Sequence, residues 1–413
     1  LEGLAYSARA SGGLSLRPVT HSPLINPEDP STKRLVSLDA YRGFIMFLLV
    51  SEAFGLGGTA SNFEGSAFWD FIDYQLSHVA WVGCAFWDLI QPSFMFMVGV
   101  AMPYSYASRR RRGDTQGRIW FHVIKRALIL VLLGIFLRSN HRGQTYFTFE
   151  DVLTQIGLGY AFVYLTLGRA FWVQLGAAVS ILFVYWLAFA LFPLPGPDFD
   201  YQKVGVPPDW NHLTGFFAHW DKNTNLAHYF DVWFLNLFPR EKPFEFNGGG
   251  YLTLNFIPSM ATMIFGVLAG EMLRGPKSPA RKYGKLVVWG TGCLLIGLAL
   301  GNTVCPIVKR IWTPSWAVYS AGWTFLMLAV FYWIIDLQGF RKWAFPLVVV
   351  GMNSIFFYCS GLIFGWWVAT LETHLGQGIF EGPFGPTWEQ TSFALFIWLI
   401  GYWMYKKRIF LRI

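Results

Sequence analysis

Charge is scarce in this chain: 14% of its 413 residues are Asp, Glu, Lys or Arg, against 54% hydrophobic. That balance argues against the two or three soluble domains its length would otherwise suggest. Cysteine is scarcer still, with Cys84, Cys293, Cys305 and Cys359 falling singly. Their spacing excludes a Cys-rich metal site and a disulfide framework, so they read as buried apolar side chains, and no metal is expected. No internal repeat and no dinucleotide fingerprint stands out, and Gly248-Gly249-Gly250 reads as a hinge rather than a phosphate loop. Two stretches, 57–84 and 372–390, contain no Lys or Arg at all.

What is abundant is long apolar runs. A span needs about 20 predominantly apolar residues to cross roughly 30 Å of hydrocarbon. Ten segments approach this, near 41–57, 85–107, 119–138, 150–168, 171–192, 251–273, 284–301, 315–336, 343–370 and 388–405. The runs are continuous rather than alternating, which predicts an all-α, polytopic membrane protein and not a barrel. Residues 1–33 read as a flexible N-terminal tail, and 34–413 as a single transmembrane domain interrupted by outer segments 58–84 and 193–250. No cleavable signal peptide is visible, so the first span is expected to direct insertion.

The excess of basic residues could indicate nucleic acid, but it is concentrated in alternate loops: Lys33, Arg34 and Arg42; Arg109 to Arg112 with Arg118; 274–285; Arg341 and Lys342; and Lys406 onward. That alternation fits a lipid bilayer with both termini cytoplasmic and His78 on the far side. Arg138, Arg142, Lys309 and Arg310 fall on the predicted outside and weaken the pattern without reversing it. Segment 58–84 reads as a surface helix on which Asp70, Tyr74, Ser77, His78 and Trp81 share one face. Segment 193–250 is too long to be structureless without a role, and reads as a lid.

Ionisable groups in or beside spans are costly, and each is a functional candidate. Glu52, His78, Asp88 and Arg138 fall in the outer half. His78 suits a general base or an acyl carrier, although a purely hydrogen-bonded interfacial histidine would look the same in sequence. Tyr74 and Trp81 could stack on a sugar ring or belong to an interfacial aromatic belt, and Glu52 and Asp88 could simply lock helices together. At the other end Lys125 and Arg126 lie deeper than Arg109 to Arg112 and fit phosphates of a nucleotide cofactor, where the four-arginine run fits a topological anchor. Asp39 and Arg42 are expected to pair.

The ordered motifs resemble a known family. They are Arg34-Leu35-Val36-Ser37-Leu38-Asp39-Ala40-Tyr41-Arg42-Gly43; His78-Val79-Ala80-Trp81; Asp88 to Gly99; Val152-Leu153-Thr154-Gln155-Ile156-Gly157; Phe265-Gly266-Val267-Leu268-Ala269-Gly270; Ile311-Trp312-Thr313-Pro314-Ser315; and Gly351-Met352-Asn353-Ser354. Together, from Arg34 onward, they resemble the heparan-α-glucosaminide N-acetyltransferase family in its bacterial form. The resemblance implies an enzyme that takes acetyl-CoA from the cytoplasm and acetylates the amine of a glucosamine-like acceptor on the far side. It places the catalytic histidine on His78. Direct transfer, which needs one barrier in one cavity, is expected over an acetyl-histidine intermediate, which would have to survive beside bulk water. The family's active-site asparagine has no clear counterpart, and Glu52 stands in the aligned stretch Val50-Ser51-Glu52-Ala53. Gln155 stands where many relatives carry arginine. From the resemblance alone, Trp312 and Asn353 become pocket-lining candidates at the donor site, beside Arg42, Lys125 and Arg126, while Asp70, Tyr74 and Trp81 fall to the acceptor. The animal members' large N-terminal domain and extra first span are not seen, which points to a bacterial inner membrane; a homodimer is compatible with this reading. The rival class is a transporter or flippase for an amino sugar, with the same cavity and no chemistry.

Overall fold

In the computed structural model, residues 35–140 and 142–411 are described. The expected N-terminal tail, with Lys33 and Arg34, lies outside them. From Leu35 the chain forms one unit, and among the described residues it is helical without strands. The helices are α1 Val36–Val50, α2 Leu56–Ala60, α3 Ala67–Leu76, α4 Ile90–Arg111, α5 Gln116–Ser139, α6 Val152–Thr166, α7 Phe171–Ala190, α8 Leu226–Phe234, α9 Phe256–Arg274, α10 Pro279–Thr303, α11 Pro314–Phe331, α12 Phe345–Met352, α13 Ser354–Ile363, α14 Trp367–Leu375 and α15 Gly385–Lys406.

The protein is therefore a multi-pass helical membrane protein. Each of the ten expected spans falls on a helix or helix pair. By length and composition, five helices qualify as spans, or seven if the pairs bent by 49° (36–60) and 69° (342–363) each count once. The difference has a physical cause. Helix α6 has 15 residues, and α4 carries buried Ser93, half-buried Gln91 and an internal Pro103, because it faces protein on most sides.

Small residues let the central helices meet at backbone distance. A Cβ on Gly99 would overlap the Met263 carbonyl, and one on Gly266 the Phe96 carbonyl, which locks α4 against α9. Gly43 and Gly351 do the same reciprocally for α1 and α12. Helix α9 is buried along nearly its whole length, whereas α5, α7 and α10 turn Leu, Val and Phe outward over much of theirs. That outward face is lipid-like in composition.

The 193–250 segment contains α8 and three 3-10 turns, Tyr201–Val204, Gly215–Trp220 and Leu235–Leu237. Its anchor is a small core in which Trp220 and Ala227 meet Trp81, Tyr185, Phe189, Val308 and Ile311. Gly250 has φ +75°, and any Cβ there would strike the Trp81 ring, so the expected hinge is also a point of close approach. Of the four cysteines, all free, only Cys305 is fully buried.

Candidate active site

Helix α3 stops at Leu76, and Ser77 is already extended. His78 and Trp81 thus lie beyond the helix end, which corrects the expected common face with Asp70 and Tyr74. The stretch after α3 is pinned instead to the loop between α10 and α11. Val82 pairs with Val308 in an isolated antiparallel bridge. Gly83 N donates to Ile307 O at 2.9 Å, and Arg310 Nη2 to Val79 O at 3.3 Å.

This staple delivers Lys309 to His78 and Asp88. Asp88 Oδ2 accepts from the backbone N–H of Ala85 at 3.1 Å and of Val79 at 3.3 Å. Its Oδ1 lies 2.8 Å from His78 Nδ1 and 3.2 Å from Lys309 Nζ, and Nζ and Nδ1 are 3.0 Å apart. The Asp88 and Lys309 side chains are 1% and 4% exposed, while the imidazole is 38% exposed. Because the ring meets the carboxylate through Nδ1, Nε2 is the nitrogen left for chemistry, and among the described residues nothing hydrogen-bonds it. Burial pushes the Lys309 ammonium down to about 8, with Asp88 working in the opposite direction.

A band of polar groups continues from this cluster. Gln91 Nε2 donates to Gln155 Oε1 at 3.1 Å, and Gln155 Nε2 to Glu150 O at 3.0 Å. Asn247 Nδ2 donates to Glu150 Oε2, and Tyr251 N to Asn247 Oδ1 at 3.2 Å. The Tyr251 ring stands edge-on to His78 with centroids 6.4 Å apart, and the Arg310 guanidinium lies 5.2 Å from its centre. Sequence reasoning passed over Lys309, Arg310, Glu150 and Tyr251 as site groups. For the first two a signal existed: they are cations placed against the loop-charge pattern.

Other candidates fall elsewhere. Glu52 opens three successive residues with positive φ (35°, 43° and 57°) at the break between α1 and α2. It is exposed, its charge neighbour is Glu389, and among the described residues no hydrogen bond or ion pair joins it to His78. Asp70 and Tyr74 lie exposed on α3. Trp81 is buried and donates from Nε1 to Trp220 O at 3.0 Å, so its ring packs the 193–250 segment and offers no open face for a sugar. Trp312 is buried three residues past Lys309, bonded to Thr262 Oγ1 at 3.3 Å. Asn353 spends its amide on Ile409 O and the Leu411 N–H, each at 3.0 Å. Trp312 and Asn353 therefore serve as packing and tethering groups, in separate places.

Helix α4 has 22 residues and separates Asp88 from Arg111 by about 33 Å. At its far end Arg109 pairs with Asp114 at 3.5 Å and reaches His122 Nε2 at 2.7 Å. Arg42 meets Asp39 at 3.6 Å, as expected, and Gly351 O at 3.4 Å. Lys125 is exposed on α5. Arg126 instead turns inward, its guanidinium 4.9 Å from the Tyr160 ring centre. Arg274 lies likewise 5.6 Å from the Tyr104 ring centre. Among the described residues, Arg126 Nε, Arg274 Nε and Tyr104 Oη are buried without hydrogen-bond partners. Donors of this kind, flanking the last turns of α4, match phosphate oxygens. No group of three or more His, Cys, Asp or Glu suited to a metal is present among the described residues.

Fold and site together define a multi-pass membrane protein with a partly exposed histidine on a buried carboxylate–lysine pair at one end of its central helix and inward-turned arginines at the other. No family model matches the chain. It is 24% identical over 432 residues to heparan-alpha-glucosaminide N-acetyltransferase of Mus musculus, covering 93% of this chain and 61% of that protein. With the Homo sapiens protein of the same name it shares 24% over 436 residues, covering 92% and 60%. The chain is similar to these proteins and spans about three-fifths of the length of these curated relatives.

Proposed function

We propose that the protein is a transmembrane N-acetyltransferase that takes the acetyl group of cytoplasmic acetyl-CoA and passes it to the amine of a glucosamine-like sugar on the other side. The His78–Asp88 pair carries this reading: a partly exposed imidazole, oriented through Nδ1 by a buried carboxylate, is a general base for an amine. The amine nitrogen attacks the thioester carbonyl, a C–N bond forms and the C–S bond breaks. The amine proton passes to His78 Nε2 and then to the departing thiolate of CoA. Such a transfer needs one cavity and no acetyl-histidine intermediate. Arg126 and Arg274, joined by Arg42, hold the phosphates at the basic end, which places donor and acceptor at opposite ends of α4. The multi-pass chain would sit in a bacterial inner membrane with both termini cytoplasmic.

The test is CoA release by purified protein given acetyl-CoA and a panel of amino sugars, in sealed vesicles of known orientation. Acetyl-CoA is expected to work only from the basic-loop side, and a membrane-impermeant amino sugar only from the other. Reaction of both from one face would remove the two-sided mechanism. The bent helices at 36–60 and 342–363 favour a second reading, transport of an amino sugar without chemistry. Uptake of labelled sugar without CoA release would select it.

A further inference from the structure

Asp88 Oδ1 holds two nitrogen partners that compete for it. A histidine beside a lone carboxylate is stabilised as imidazolium, because the negative charge favours the protonated ring. A protonated ring has no lone pair at Nε2 and cannot accept a proton from an amine. Here a second cation stands on the same oxygen. Lys309 Nζ lies 3.2 Å from Asp88 Oδ1 and 3.0 Å from His78 Nδ1, so an imidazolium would face an ammonium across one carboxylate. Like charges that close, with Asp88 and Lys309 both buried, repel strongly.

The molecule contains its own control. His212 Nδ1 meets Asp221 Oδ2 at 2.7 Å, but the other donors to Asp221 are neutral: Trp210 Nε1 at 3.1 Å and the Lys222 backbone N–H at 2.8 Å, both on Oδ1. The Lys222 ammonium sits instead over the Trp210 ring, 4.7 Å from its centre.

We propose that Lys309 is the positioning residue of the His78 site: by offsetting the charge of Asp88 it keeps the imidazole uncharged, while Asp88 Oδ1 holds the ring proton on Nδ1 and leaves Nε2 open to the proton of an incoming amine. The acetyl-transfer reading supplies the use of Nε2, and the charge arrangement stands apart from it. The groups facing Lys309 are consistent. Asp88 is the anion beside it, Arg310 adds positive charge, the Cys84 thiol is close by, and the Tyr251 ring centre is 5.8 Å away. Its ammonium persists through the neutral range and is lost above about 8. After His78 accepts a proton, repulsion from Lys309 hastens its onward loss to the thiolate.

The experiment reads the histidine directly. Diethyl pyrocarbonate labels only unprotonated imidazole, and mass spectrometry resolves His78 from His212. In Lys309→Met, the His78 labelling profile is expected to move about one unit to higher pH, and labelling at pH 7 to fall roughly threefold. Lys309→Arg should restore the wild-type profile, and Asp88→Asn should move it to lower pH. His212 should be unchanged in all three and so reports on folding. If Lys309→Met does not fold, Asp88→Asn carries the test alone. A His78 profile identical to wild type in a folded Lys309→Met or Asp88→Asn protein overturns the proposal. Labelling needs no acetyl transfer: shifted profiles in a protein that acetylates nothing would sink the acetyltransferase reading and leave Lys309 in its role.

Discussion

Two histidine–aspartate pairs in this protein are nearly superimposable as distances and differ in what completes them. His78–Asp88 and His212–Asp221 span 2.8 and 2.7 Å, with rings 38% and 35% exposed on buried carboxylates. The first carboxylate also takes a buried ammonium, the second an indole and a backbone N–H. The His212 ring is further covered by Tyr201, with centroids 4.2 Å apart. A carboxylate braced by neutral donors anchors the 193–250 segment. One shared between an imidazole and a lysine is arranged to control where a proton resides. The contrast teaches that a His–Asp distance by itself does not distinguish the two pairs, and that the third partner does.

The sharpest way to break this contrast is to remove each imidazole. His78→Ala is expected to lower CoA release by about 10²–10⁴-fold, with acetyl-CoA binding nearly intact, whereas His212→Ala should stay within about threefold of wild type, since it lies outside the reacting groups. Equal losses would mean that both pairs serve the 193–250 segment.

Removing the carboxylates should separate the pairs in stability. Asp88→Asn leaves Lys309 buried without its anion, a loss of about 3–5 kcal/mol when a buried pair is broken. Asp221→Asn keeps neutral partners and should cost about 1–2 kcal/mol. Asp88→Asn combined with Lys309→Met should recover part of the first loss. Thermal unfolding in detergent measures all three.

At the far end the same distinction between buried and exposed charge predicts a smaller effect. Arg126→Glu should raise the KM for acetyl-CoA about tenfold, through loss of a charge-assisted contact of roughly 1.5 kcal/mol. The exposed Arg110 and Lys125, changed to Glu one at a time, should move it little beyond what salt screens. Parallel KM changes at all three positions would reduce the basic end to a diffuse field.

The smallest effect belongs to the 193–250 segment. Asp231 is buried on α8, its Oδ2 accepting from Thr253 N at 2.9 Å while Oδ1 has no partner. Burial raises its carboxyl from 3.8 to about 7. The folded state therefore holds the proton more tightly than the unfolded chain, and this contribution to stability is complete below about pH 4 and lost as pH rises through about 7. Raising the pH from 5 to 8 should lower the thermal midpoint by on the order of 5 °C. Asp231→Asn should flatten that slope.

Much of this was legible beforehand for physical reasons. Lipid forces backbone bonds inside each span, so continuous apolar runs announced the helices; their ends near Ile90, Phe171, Pro279 and Pro314 match within a few residues. His78 and Asp88 stood out because ionisable groups beside a span are few. The face shared by α3 and His78 misled because Ser77 turns extended, and helical periodicity carries no information beyond the last turn. Trp81 looked like a stacking platform, since an aromatic beside a candidate histidine reads the same whether its ring is open or covered by Trp220. Glu52 looked like a neighbour of His78 because both lie at one end of the chain's spans, yet a left-handed turn carries it toward Glu389.

The sequence by itself determined that the chain is helical and crosses a membrane several times, because hydropathy acts locally and every residue of a span contributes to it. It also determined that basic groups gather at one set of loops and His78 at the other. Only the tertiary structure decided which charges meet. Lys309 lies 221 positions from Asp88 and reaches it because Val82 pairs with Val308 and draws the two loops together. No periodicity encodes such a contact: it depends on how α10 and α11 pack beside α4, and a buried ammonium becomes tolerable only once that packing brings it a carboxylate.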